Sequence, residues 1–136
     1  MSDAMALVVV DVGRSGADQA LRGLADAFRA AGRPVVHAVQ SDLAGGAIDR
    51  ELLEAGGVQT LAPSEMAVGM RGRGAFDATP LDALLRGLGV DTVVVGGPLP
   101  SPAVSASVEG GELRGYRVLL ATDELAVALG AYLRAA

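Results

Sequence analysis

The chain has 136 residues, 51% of them apolar but only 3% aromatic, and its 16 acidic against 11 basic residues give a formal net charge of -5. All the basic residues are Arg, and neither Lys nor Cys occurs. That composition suits one domain spanning 1–136, with a core of small branched side chains. It excludes disulfides, thiolate metal ligands, thiol nucleophiles and Lys-assisted catalysis. Scattered acids without a basic run argue against nucleic acid as a partner. No apolar stretch approaches the roughly 20 residues that span a bilayer, and the N-terminus lacks a signal core, so no membrane partner and a cytoplasmic location are expected.

In chain order, short β-branched runs alternate with longer amphipathic segments, the form taken by βαβ units around a parallel sheet. Ala6 to Asp11 is a nearly all-apolar first strand that ends in a carboxylate. Ser15 and Asp18 read as a capping box for a helix with Leu21, Leu24, Ala25 and Phe28 on one face, stopped by Gly32. Pro34 to Gln40 is the second strand. The pattern weakens between Ser41 and Glu65, with a short helix over Ile48 to Ala55 and a break at Gly56-Gly57. Met66 to Val68 forms a short third strand, and Gly69 to Gly74 a loop rich in Gly and Arg.

Thr79-Pro80-Leu81-Asp82 has the form of a helix start, with Leu81, Leu84, Leu85 and Leu88 as the inner stripe and Gly89 as the stop. Asp91 to Gly96 gives a fourth strand, and Gly97 to Pro100 a constrained turn. Ser101-Pro102 opens a helix with Val104 and Val108 on its apolar side, weakened by Gly110-Gly111. Arg117 to Ala121 is the fifth strand, and Thr122 starts a last helix carrying Leu125, Leu129 and Leu133. The fold class is therefore α/β: a mainly parallel sheet of about five strands with helices on both faces.

Three stretches in this order resemble the isochorismatase-like cysteine hydrolases, a family that includes nicotinamidases, N-carbamoyl amidases and isochorismatases. Ala6 to Asp11 matches the strand ending in the family's catalytic Asp. Gly74-Ala75-Phe76-Asp77-Ala78-Thr79-Pro80-Leu81 is similar to its Ser-Ala-Phe-x-x-Thr-x-Leu signature. Gly97, Ala103, Val104, Gly115 and Tyr116 stand where the family has a Gly, the nucleophilic Cys, a Val and a Gly-Tyr pair. The resemblance implies a three-layer, Rossmann-like arrangement with strand order 3-2-1-4-5, ligands collecting beyond the first and fourth strands. It makes Ala103 the replacement for the nucleophile and Met70 the replacement for the Lys, and leaves Asp11 as the one retained catalytic residue. The family's last strand is absent from the pattern.

What the resemblance permits without a thiol is acid/base chemistry by Asp11, such as hydrolysis of a vinyl ether, on a small organic substrate. Backbone N–H groups near Leu99 and Ala103, at the start of a helix, would face a carboxylate or developing oxyanion. Phe76 belongs to the family motif, while Arg71 and Arg73 either supply a substrate-binding charge or are solvated loop residues. Read without the family, Asp11 is better explained as a cap for the following helix or a partner for an Arg than as a catalytic group. The family's Asp-His-His metal set cannot form, since His37 is the single His, and no cofactor is implied. His37 reads as a satisfied strand residue. Ser101, Ser105 and Ser107 lie near the lost nucleophile but lack a base within reach.

Two functions remain open: non-thiol catalysis through Asp11, or a binding or structural pseudoenzyme that keeps the fold and assembles with a partner enzyme. Either form is expected to self-associate as a homo-oligomer.

Overall fold

A computed structural model of the protein describes residues 4–11, 19–40, 49–70, 73–77, 79–97 and 102–135. Six strands form one sheet in the order β3-β4-β2-β1-β5-β6. They are β1 (Met5–Asp11), β2 (Val35–Gln40), β3 (Val58–Ala62), β4 (Glu65–Met70), β5 (Thr92–Gly96) and β6 (Arg117–Leu120). All neighbours are parallel except β3, which runs antiparallel to β4. The helices are α1 (Gln19–Ala30), α2 (Arg50–Glu54), α3 (Leu81–Gly87), α4 (Pro102–Leu113) and α5 (Asp123–Ala135).

The expected order survives for the strands that were anticipated, and β3 is added at one edge. β3 and β4 are joined through Pro63 and Ser64, and Ser64 carries the strain of a left-handed backbone with φ of 64°. Strand β4 continues through Gly69 and Met70, which corrects the loop expected to begin at Gly69. The short helix is confined to Arg50–Glu54, where Asp49 caps it by accepting the Leu52 N–H at 3.2 Å. The Ser15 and Asp18 capping box lies outside the described residues.

β1 is central and covered on both faces: Ala6, Leu7, Val8 and Val10 have no exposed surface. Alternation along the strands splits the core into two layers. Leu7, Val35 and Val94 point to α1 and α5, meeting Leu21, Leu24, Phe28, Ala126 and Leu133. Val8, Val10, Val36, Val68 and Val95 point the other way, to Phe76, Leu81, Leu85 and Val104. The inner stripe expected for α1 is buried throughout, whereas Leu88 of the next predicted stripe is 47% exposed, because α3 closes at Gly87 and Leu88 already caps it.

Three charged or polar side chains close the lower, amino-terminal end of the sheet. Glu65 accepts a hydrogen bond from Arg29 at 2.6 Å and shares one with His37 at 2.7 Å. The Arg29 guanidinium, and then His37, hold the Glu65 carboxyl below its ordinary value despite the opposing effect of burial. His37 is thereby a satisfied strand residue.

Candidate functional site

The parallel registers align the carboxyl ends of the strands. Asp11 stands opposite Val39, Val9 opposite Gly96 and Gln40 opposite Met70, so β1, β2, β4 and β5 all finish along one edge. In an open α/β sheet that edge is where ligands bind. The chain leaves β5 through Gly97, which packs so tightly that a Cβ there would lie 2.6 Å from the Val10 carbonyl oxygen and 2.8 Å from Val104 Cγ2. That glycine brings the end of β1 and the first turn of α4 together.

Of the expected site residues, Met70, Phe76 and Ala103 belong to one buried cluster on the α3 and α4 side of the sheet, with exposures of 4%, 2% and 8%. Arg73 is exposed, its N–H reaching the Asp77 carboxylate at 3.5 Å. Arg71, Leu99 and the side chain of Asp11 lie outside the described residues; the Asp11 backbone ends β1. The Phe76 ring packs 5.6 Å from that of Tyr116, and Gly110 and Gly111 receive it, since a Cβ at Gly111 would come within 3.2 Å of Phe76 Cε2. The adjacent glycines that weaken α4 as a helix are what let Phe76 dock on it, and the helix runs through both.

Ser107 organises this region in a way the sequence did not disclose. Its hydroxyl accepts the Ala75 N–H at 2.8 Å and donates to the Ala103 carbonyl oxygen at 2.7 Å, with no exposed surface. The segment 73–77 is thereby tied to the first turn of α4. With its proton donated to the Ala103 carbonyl and no exposed surface, Ser107 is a tether rather than a nucleophile. A Ser at the spacing of the buried positions Ala103, Val104 and Gly111 is the signal that could have marked it, because a hydroxyl on a buried helix face requires a partner.

A second tether comes from α3 and the end of α4. Arg114 donates to the Gly110 carbonyl at 3.0 Å and the Phe76 carbonyl at 3.4 Å, with its guanidinium 5.5 Å from the Phe76 ring centre. The Tyr116 hydroxyl donates to the Asp82 carboxylate at 2.7 Å, and Arg86 lies 5.0 Å over the Tyr116 ring while donating to the Arg114 carbonyl. Burial, and then the neighbouring Asp82 carboxylate, push the Tyr116 hydroxyl up to about 12. Asp82 therefore serves Tyr116 and Arg86 rather than a capping box. Thr79 donates to the Ala75 carbonyl at 2.5 Å and accepts the Leu81 N–H at 3.2 Å, which ties the end of the same segment to the start of α3.

Among the described residues no three His, Asp or Glu side chains converge as a metal set, and no helix is long and apolar enough to cross a membrane. A cavity of about 310 Å³ lies at the opposite end of the sheet, between Met5, Gly32, Arg33, Pro34, Leu88 and Val90. None of the expected site residues lines it.

The isochorismatase domain profile matches residues 5–129. Among solved structures, a nicotinamidase from Staphylococcus aureus superposes with a TM-score of 0.67 at 18% identity, covering 93% of this chain and 91% of its own. An isochorismatase family protein from Desulfovibrio vulgaris gives 0.62 at 23% identity over 97% and 90% of the two chains. An N-carbamoylsarcosine amidase from Thermoplasma acidophilum gives 0.63 at 24% identity over 88% and 82%. No curated protein sequence matches the chain. The profile covers nearly the whole sequence and the fold agrees with it: this chain belongs to the isochorismatase domain family.

Proposed function

We propose that the protein is a non-thiol hydrolase or proton-transfer enzyme of this family, in which Asp11 acts as acid or base on a small organic substrate without a covalent intermediate. The observation that supports the reading is the alignment of β1 with β5 and the tight turn at Gly97, which packs between the Val10 carbonyl, one residue before Asp11, and Val104 in the first turn of α4. A helix start supplies N–H donors without partners inside the helix, suited to an anionic or carbonyl oxygen. Ala103 at that turn removes nucleophilic catalysis but leaves the backbone donors, so protonation of a vinyl ether by Asp11 followed by attack of water remains open to the chain. Met70 contributes no charge, and Arg71 and Arg73 are the cations nearest in sequence to the position it occupies. The reading carries with it a small-molecule partner, no cofactor and a cytoplasmic setting.

The test is turnover of vinyl ethers, amides and nicotinamide by the wild type and by Asp11→Asn. The expected result is vinyl ether hydrolysis or another proton transfer that falls about 100-fold or more in Asp11→Asn. Turnover unchanged by Asp11→Asn overturns the mechanism. A panel showing no turnover, with a ligand that still raises Tm, would replace it with the binding role.

A further inference from the structure

We infer that the open edge of β6 is a self-association surface, at which a second copy of this chain adds its own β6 antiparallel to form one continuous sheet across a two-fold axis. Among the described residues β6 pairs only with β5, and its other side is an edge with no strand against it among them. Arg117 donates its N–H to the Asp91 carbonyl at 3.0 Å and Ala121 donates to the Val95 carbonyl at 2.8 Å. Alternate residues therefore turn their main chain toward β5, and the main-chain groups of Val118 and Leu120 between them point away from the sheet. An edge of this kind is ordinarily blunted by charge, proline or a covering element. Here the strand reads Arg117-Val118-Leu119-Leu120, and Leu120 is 38% exposed.

The flanking helix is apolar on the same side. In α5, Ala126, Gly130 and Leu133 are buried, and Arg134 donates to the Gly23 carbonyl at 3.1 Å, which fixes the side of the helix that faces α1. At 100° per residue, Leu125, Leu129 and Tyr132 lie on the flank of the buried face opposite Arg134, toward the open edge, with Leu129 also packed against the core beneath. Leu125 and Leu129 are half-buried and Tyr132 is 54% exposed.

Charge selects a second copy as the occupant. Arg117 at one end of β6 and Asp123 and Glu124 just past the other end are exposed, and none makes an ion pair among the described residues. Antiparallel pairing centred on Leu119 lets Val118 exchange main-chain hydrogen bonds with the partner's Leu120, and sets Arg117 opposite the partner's Ala121. Arg117, Leu119 and Ala121 share the α5 face, so the Arg117 side chain reaches diagonally toward the acids opening the partner's α5. The two-fold axis repeats that opposite-charge match on both sides. A parallel arrangement would put like charges together.

The experiment is sedimentation velocity on the full chain over a wide concentration range, for the wild type, Arg117→Glu, and the triple variant Arg117→Glu, Asp123→Arg, Glu124→Arg, with circular dichroism confirming that each is folded. The wild type should dimerise, Arg117→Glu should raise the dimer Kd by about tenfold or more, and the triple variant should restore it. A wild type that stays monomeric, or a dimer whose Kd is unmoved by Arg117→Glu, overturns the inference. Failure of the triple variant to recover the dimer overturns the antiparallel register. None of these residues belongs to the proposed catalytic machinery, so the outcome is independent of whether Asp11 is catalytic.

Discussion

The two faces of the sheet are held by different means. On the α1 and α5 side, regular helices lay Leu21, Leu24, Phe28 and Leu133 onto Leu7, Val35 and Val94, and area removed from water dominates. On the α3 and α4 side, the covering layer includes the irregular segment 73–77, whose backbone groups cannot all be satisfied by secondary structure. Ser107, Arg114 and Thr79 supply the missing partners there. Side-chain bonds to the backbone of an irregular segment thus mark the face that ends at the candidate site, where a loop must be held in one conformation. On the α1 side, by contrast, Arg29, Glu65 and His37 pair with one another at the end of the sheet.

Three substitutions would break or sharpen that contrast. Phe28→Ala removes a fully buried ring from the apolar face and should cost about 3–5 kcal/mol in urea unfolding. Its effect should be global; selective loosening of residues 73–77 would contradict the division. Ser107→Ala leaves the buried Ala75 N–H and the Ala103 carbonyl without their side-chain partner and should cost about 1–3 kcal/mol. Amide exchange at Ala75 should accelerate more than exchange in α1 or α5, and a uniform change would argue that Ser107 is merely core.

The smallest effect, at neutral pH, is expected from Tyr116→Phe, about 1 kcal/mol for the lost hydrogen bond to Asp82. Its signature lies in alkali. Because folding raises the Tyr116 pKa from 10.0 to about 12, the folded state holds the phenol proton more tightly than the unfolded chain does. That contribution is complete below pH 10 and is lost as pH rises through about 12. Urea midpoints measured across this range should fall in the wild type, and the fall should be shallower in Tyr116→Phe.

Much of the architecture was legible because buried parallel strands and their helices have strong local signatures. The Val runs of β1 and β5 and the Leu21, Leu24, Phe28 stripe needed no tertiary information. β3 was missed because Val58-Gln59-Thr60-Leu61-Ala62 is marginal alone, and its turn uses Pro63-Ser64 in place of the Asn-Gly or Asp-Gly pair that marks a hairpin. Met70 reads as loop in the sequence because the adjacent Gly69 suggests a break. That glycine instead admits α2, as a Cβ there would sit 2.7 Å from the Leu53 carbonyl. At the site, the family spacing drew Met70, Phe76 and Ala103 into one list, and the fold gathers those three in one buried cluster. The Ser107 tether was not readable, since its meaning depends on Ala75, far away in sequence.

The glycines at 110 and 111 also bear on what holds α4 in helical form. Each costs about 1 kcal/mol of helical tendency relative to Ala, and a segment of this length has little helix of its own in water. Helix α4 recovers that loss only when Phe76 and Val118 occupy the groove the glycines leave. The winding of α4 is therefore coupled to its docking on β6 and segment 73–77 rather than set by its own sequence, so a change that loosens either neighbour should also fray the end of this helix.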